Sequence, residues 1–185
     1  MSSVLKVNTI QDAGGNSIVS SNGSGTFTPG SALATGVLAN TPAFEAYLGS
    51  NQTVSHATLT KVTINTEVLD SSSAYDHSSN YRFTPQTAGK YFVYANLTMY
   101  STSNDTINGA IIAIYKNGSN YKAQDLTPGG SESIREALST AAIIDFNGSS
   151  DYVELYGYLD VDSGTPTIQS GDKYCNFGAY KIIGA

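Results

Sequence analysis

Residues able to carry proton or nucleophile chemistry are scarce in this chain, and their spacing assembles no reaction centre. The only histidines are His56 and His77, and neither stands in an H-E-x-x-H or G-x-S-x-G setting, the patterns that pair two zinc ligands on a helix or lift a serine on a sharp turn. His77 lies in the polar stretch Ser71-Ser72-Ser73-Ala74-Tyr75-Asp76-His77-Ser78-Ser79, the usual place of a solvated histidine. The single cysteine, Cys175, excludes an internal disulfide framework and a multi-cysteine zinc site. Fifteen Asp and Glu residues could supply the carboxylate pair of a glycosidase. The long solenoid or barrel that usually presents such a pair does not fit into 185 residues. Asp160-Val161-Asp162-Ser163-Gly164 is half of a calcium loop without its later bidentate Glu, which reads more simply as a solvated turn. The chain reads as non-enzymatic, with no cofactor and no metal site assigned.

Binding chemistry is better represented. Tyr152, Tyr156 and Tyr158 fall on one face of an alternating segment, and Phe92, Tyr94 and Tyr100 fall on one face of another. A rigid ring with a polar tip suits a subunit interface or a sugar-stacking surface. The chain has no Trp, the strongest stacking residue for sugars, which favours the interface reading.

The elements that must position these rings are strands. Gly89 to Ser101 alternates Tyr91, Val93, Ala95, Leu97 and Met99 with Phe92, Tyr94, Asn96, Thr98 and Tyr100, and the first set is a core face. Ile111 to Lys116 runs into Asn117-Gly118, a strong hairpin signal, and emerges as Ser119 to Lys122. Ala141 to Phe146 runs into a second Asn-Gly pair, Asn147-Gly148, which predicts another hairpin continuing as Asp151 to Asp160; Tyr174 to Ile183 is the final strand. No window shows a helical pattern except an ambiguous Ser133 to Ala142. Roughly eight strands of this kind imply a sandwich or jelly roll.

Composition shifts near residue 42. Residues 1 to 41 hold no Tyr and only two charges, Lys6 and Asp12. Their short apolar pieces, Val4 to Ile10, Ile18-Val19 and Thr26-Phe27-Thr28, are separated by Ala13-Gly14-Gly15-Asn16 and Asn22-Gly23-Ser24-Gly25. This predicts short strands joined by tight turns that need a partner for their apolar faces, with a flexible linker as the alternative. Lys+Arg 9 against Asp+Glu 15 leaves a net charge of -6 without a basic cluster, which argues against nucleic acid. The longest apolar run, Ala110 to Tyr115, is far below the ~20 residues of a membrane span, so no membrane insertion is expected. The start lacks the apolar core of a secretory signal, so the product is expected to be made in a cytoplasm.

Phe83-Thr84-Pro85 followed by Gly89-Lys90-Tyr91-Phe92-Val93-Tyr94 resembles the signature of the complement subcomponent q globular-head family, relatives of the tumour-necrosis-factor jelly rolls. Ala43 to Leu48, Asn65 to Val68 with Tyr75-Asp76, Ile114 to Gly118, Asp151 to Leu155 and Phe177 to Tyr180 follow in the family's order. Leu5 to Asn16 is similar to the opening module of bacteriophage tail-fibre and related virion proteins, and no Gly-X-Y stalk is present. The resemblance implies an all-β jelly-roll head over residues 42–185, a homotrimer, on a virion-anchoring segment over residues 1–41. Some heads of the family hold calcium near the trimer axis, so a site shared by three chains is conceivable.

The resulting expectation is a virion protein that partners itself as a homotrimer, another virion protein through residues 1–41, and a glycan or protein of the host surface. A capsid or tail decoration protein without receptor binding is the alternative. Tyr152, Tyr156 and Tyr158 are the expected trimer interface. Loops far from the anchor should carry recognition, and Asp70 to Asn80, with Tyr75, Asp76 and His77, and Leu126 to Glu132 are the long polar segments that suit.

Overall fold

Alternating apolar and polar residues build strands throughout: every regular element among the described residues is a β-strand. A computed structural model describes residues 7–30, 39–103, 107–127 and 133–184. They fall into two compact units, one within Met1–Asn40 and one spanning Thr41–Ile183.

The first unit is an antiparallel sheet of β1 (Thr9–Gln11), β2 (Ser17–Ser21) and β3 (Phe27–Pro29) in that order. Side chains of its turns replace the missing ladder bonds. The Asp12 carboxylate accepts from the backbone amides of Gly14 and Asn16, each at 2.9 Å. Asn22 Oδ1 accepts from those of Ser24 and Thr26. Residues 9–29 are thus short strands and tight turns, while Val4 to Lys6 lie outside the described residues. Ile10 faces Val19 across the ladder, yet Ile10 is 52% and Phe27 72% exposed.

In the second unit β4 (Ala43–Tyr47), β5 (Gln52–Thr53), β6 (Thr60–Lys61), β7 (Thr66–Asp70), β8 (Tyr75–Asp76), β9 (Arg82–Phe83), β10 (Gly89–Ser101), β11 (Ile107–Lys116), β12 (Ser119–Leu126), β13 (Arg135–Phe146), β14 (Val153–Val161), β15 (Pro166–Ile168) and β16 (Cys175–Lys181) form two sheets. One has the order β5-β15-β10-β16-β4-β7, with β13 along the other side of β10; the second has the order β12-β11-β14-β9-β8, with β6 on β14. The core lies between them. Tyr91, Val93, Ala95, Leu97 and Met99 of β10 all point into it, as their alternation predicts. Phe44 stacks on Tyr75 and Phe83 with centroids 4.5 Å apart in each pair, and Phe177 meets Phe44 edge-on. Each buried aromatic of this kind contributes about 1.5–3 kcal/mol of transfer free energy.

Asn117-Gly118 makes the expected hairpin. Both residues have positive φ, 52° and 77°, which gives the ribbon the twist of its strands. Asn147-Gly148 does not. β13 pairs with β10 and β14 with β11, so this turn carries the chain from one sheet to the other. Asn147 Oδ1 accepts from the amides of Ser149, Ser150 and Asp151, closing a turn too wide for a two-residue hairpin.

Both ends of the unit meet at one end of the sandwich. The amide of Lys181 donates to the carbonyl of Pro42, and that of Ile182 to Lys90. The opposite, far end of β10 is Tyr100 and Ser101, beside β15 and β5.

Candidate functional site

The Asp70–Asn80 loop is more rigid and differently placed than its polarity suggests. Phe44 pairs with Asp70, and Ser71 exchanges hydrogen bonds with Ala43, so the loop begins at the end where the chain enters the unit. Its tip is held on the flank, at the level of Glu67 and Lys61. The register of β4 with β7 decides where the loop begins.

Within this loop the three candidate contacts have different surroundings. Tyr75 is a core residue, 5% exposed, and its hydroxyl donates to the Ile64 carbonyl at 2.8 Å. Burial raises its pKa well above the ordinary phenol range. Tyr75 is thus withdrawn from the surface loop, because the Phe44 and Phe177 rings offer it more than solvent does. Asp76 is spent on the loop itself: its carboxylate accepts from the amides of Ser78, Ser79 and Asn80 and from the Asn80 side chain. These bonds, that of Ser79 first, hold its pKa below the usual carboxylate range. Only His77 stays exposed, with Nδ1 2.7 Å from Glu67 Oε1. Of Leu126 to Glu132, residues 128–132 lie outside the described residues.

Tyr152, Tyr156 and Tyr158 do share the outward side of the second sheet, where each is half-buried by its own chain. Tyr156 stacks on Tyr115 with centroids 4.1 Å apart, and the Arg82 guanidinium sits 4.6 Å above the Tyr152 ring. The outward side of the first sheet is less occupied. Phe92 of β10 lies between Ile143 of β13 and Tyr180 of β16 on one rung of the ladder. Ile143 is 57% and Tyr180 40% exposed. On the next rung Ala141 and Gly178 flank Tyr94, whose hydroxyl donates to Glu45 Oε2 at 2.8 Å. A Cβ on Gly178 would lie 2.4 Å from that ring, so glycine is needed for Tyr94 to lie flat.

At the far end a cavity of about 260 Å³ opens among Asn51, Tyr100, Ser101, Ile134, Arg135 and Gln169. It went unseen in the sequence because four separate segments build it. Pairing of Tyr100 with Arg135 and of β15 with β5 is what brings them together.

Nothing in the described residues assembles a reaction centre. His56 lies 3.6 Å from Asp160, and His77 pairs separately with Glu67. Cys175 is buried and its thiol is pushed up to about 12 by burial. Asp162 accepts from the Asn108 side chain, and no group of three or more His, Cys, Asp or Glu gathers around a common point among the described residues.

Comparison with solved structures finds the same architecture. The globular domain of zebrafish complement 1qA protein superposes with a TM-score of 0.54 at 14% identity, covering 76% of this chain and 96% of that one. The Eiger TNF of S. frugiperda gives 0.55 at 14% identity, with 77% and 93% covered. The fold is an all-β jelly-roll sandwich of this type. No protein family signature matches the chain, and no curated protein matches it in sequence.

Proposed function

We propose that the chain is the trimeric, non-enzymatic head of a bacteriophage virion protein, which recognises a glycan or protein of the host surface while residues 1–41 hold it to another virion protein. The observation that carries the self-association is the outward side of the first sheet. Its Phe92, Tyr94, Ile143 and Tyr180 form an apolar area in which Ile143 and Tyr180 are exposed, whereas on the second sheet Tyr152, Tyr156 and Tyr158 are each half-buried, Tyr156 against Tyr115 and Tyr152 beneath Arg82. Contiguous exposed apolar surface of this kind marks an interface. We therefore assign the trimer contact to this side rather than to Tyr152, Tyr156 and Tyr158. The virion role rests on the resemblance of Leu5 to Asn16 to phage fibre openings and on the exposed apolar residues of the first unit, Ile10 and Phe27, which need a covering partner.

Trimer formation and host binding are tested together. Purified protein should have the mass of three chains by light scattering, adhere to susceptible cells and compete with infection, because three weak contacts per head add avidity. A single-chain mass at micromolar concentration overturns the trimer. Trimers that bind no susceptible cell, with protein-free particles that are fragile but adsorb normally, give a decoration role instead.

A further inference from the structure

The far-end cavity carries features that neither the fold nor self-association requires. Arg135 is one of two arginines in a chain of net charge -6. Its guanidinium lies 5.1 Å from the centroid of Tyr174, and the Lys173 ammonium lies 5.0 Å from the same ring. Of the two cations only Arg135 lines the cavity, and among the described residues neither is joined to a carboxylate by an ion pair. A cation–π contact stabilises such a charge by only about 0.5–1 kcal/mol at an exposed site. An anion in the cavity would give the Arg135 guanidinium the counter-charge it lacks.

The wall of the cavity asks for a second kind of group. Gln169 lines it, and the Gln169 amide oxygen is shut off from solvent without a hydrogen-bond partner among the described residues. An acceptor left in that state costs about 1–3 kcal/mol. Beside it the Tyr100 hydroxyl accepts from Asn51 Nδ2 at 2.9 Å and keeps its own proton to donate. Asn51 in turn is fixed by Ser170, whose amide and hydroxyl both donate to Asn51 Oδ1 at 2.9 Å. The Tyr100 hydroxyl and the Asn51 side chain are thus held in place before any ligand arrives.

We propose that this cavity binds a sugar acid: a single hydroxylated ring carrying a carboxylate, of the uronate class. The carboxylate pairs with the planar fork of Arg135, which donates two parallel hydrogen bonds. One ring hydroxyl accepts from Tyr100. Another donates to the Gln169 oxygen, which turns toward the cavity about its soft terminal torsion. This deepens the host-recognition reading, on which it rests for the source of the ligand.

The test uses the full-length protein with free D-glucuronate, D-glucose and acetate as probes, observed by saturation-transfer NMR on the ligand. Glucuronate should bind with millimolar affinity, and glucose and acetate at least about tenfold more weakly. Arg135→Gln and Gln169→Leu should each weaken glucuronate at least about tenfold, and Gln169→Leu should leave the melting temperature unchanged or raised, because it removes an unpaired polar group. If Arg135→Gln does not fold, Tyr100→Phe, which removes the hydroxyl donor, takes its place. Absent binding of glucuronate, equal binding of the three probes, or full binding by the variants overturns the proposal. Unaltered adhesion of Arg135→Gln protein to cells that wild type binds, together with no glucuronate binding by wild type, removes the pocket and leaves host recognition standing. Wild-type protein that binds glucuronate but no host cell keeps the pocket and removes host recognition.

Discussion

Glu154 is the side chain whose charge is most at the mercy of one neighbour. It is 4% exposed on the outward side of β14, and Lys61 Nζ meets its carboxylate while also donating to the Asn80 carbonyl. Lys61→Met should cost about 2–3 kcal/mol in urea unfolding, somewhat below the ~3–5 of a fully buried pair because Lys61 is one-third exposed. Adding Glu154→Gln should restore most of it. No recovery in the double variant means that Lys61 acts through the Asn80 carbonyl alone. Asp76 gives the acid counterpart. Its folded pKa lies below the ordinary carboxylate value, so its contribution is complete above about pH 4 and drains away as the pH falls toward the folded value. The backbone signals of Ser78, Ser79 and Asn80 should therefore move together only in acid. Asp76→Ala should show the moved positions at every pH.

The two Asn-Gly turns look alike in sequence and differ in what surrounds them. A Cβ on Gly118 meets nothing nearer than the Tyr152 hydroxyl at 3.7 Å, whereas one on Gly148 would sit 2.4 Å from the Ala88 nitrogen. Gly118→Ala should cost only the left-handed backbone, about 1–2 kcal/mol. Gly148→Ala should cost at least about 3 kcal/mol, since strain is joined by a clash with backbone that cannot retreat. Equal losses in denaturant melts would refute that separation. Asn-Gly chemistry announced both turns, but only long-range pairing decides whether the flanking strands stay neighbours. The same limit applies elsewhere. β10 was legible over its whole length because 13 residues alternate cleanly, while β5, β6, β8 and β9 are two residues each, below the span in which a period can be read. Tyr75 looked like a loop residue because its neighbours in sequence are polar; its neighbours in space are Phe44 and Phe177.

Across the whole molecule the two sheets should respond differently to a charge placed on their outward sides. Ile143→Asp together with Tyr180→Asp should dissociate the proposed trimer, because an unpaired charge buried between copies would cost several kcal/mol. Tyr158→Asp should leave the mass by light scattering unchanged. The reverse pattern would move the contact to the second sheet. The sandwich itself was legible from alternation and motif order. The far-end cavity was not, since Asn51, Tyr100, Arg135 and Gln169 meet only when β5, β10, β13 and β15 have come together.

β16 is the last of the strands in chain order, yet it lies inside its sheet, between β10 and β4. A ribosome that has delivered everything through Tyr174 has therefore made a sheet in two pieces, with β4 and β7 lacking a bridge to β10. The missing strand also brings Gly178, which leaves room for Tyr94, and Tyr180, which lies against Phe92. A prematurely terminated product thus lacks both its core closure and its outward aromatic surface. Those seven residues therefore make closure of the sheet and completion of the outward aromatic surface one event, so a copy interrupted before β16 lacks both.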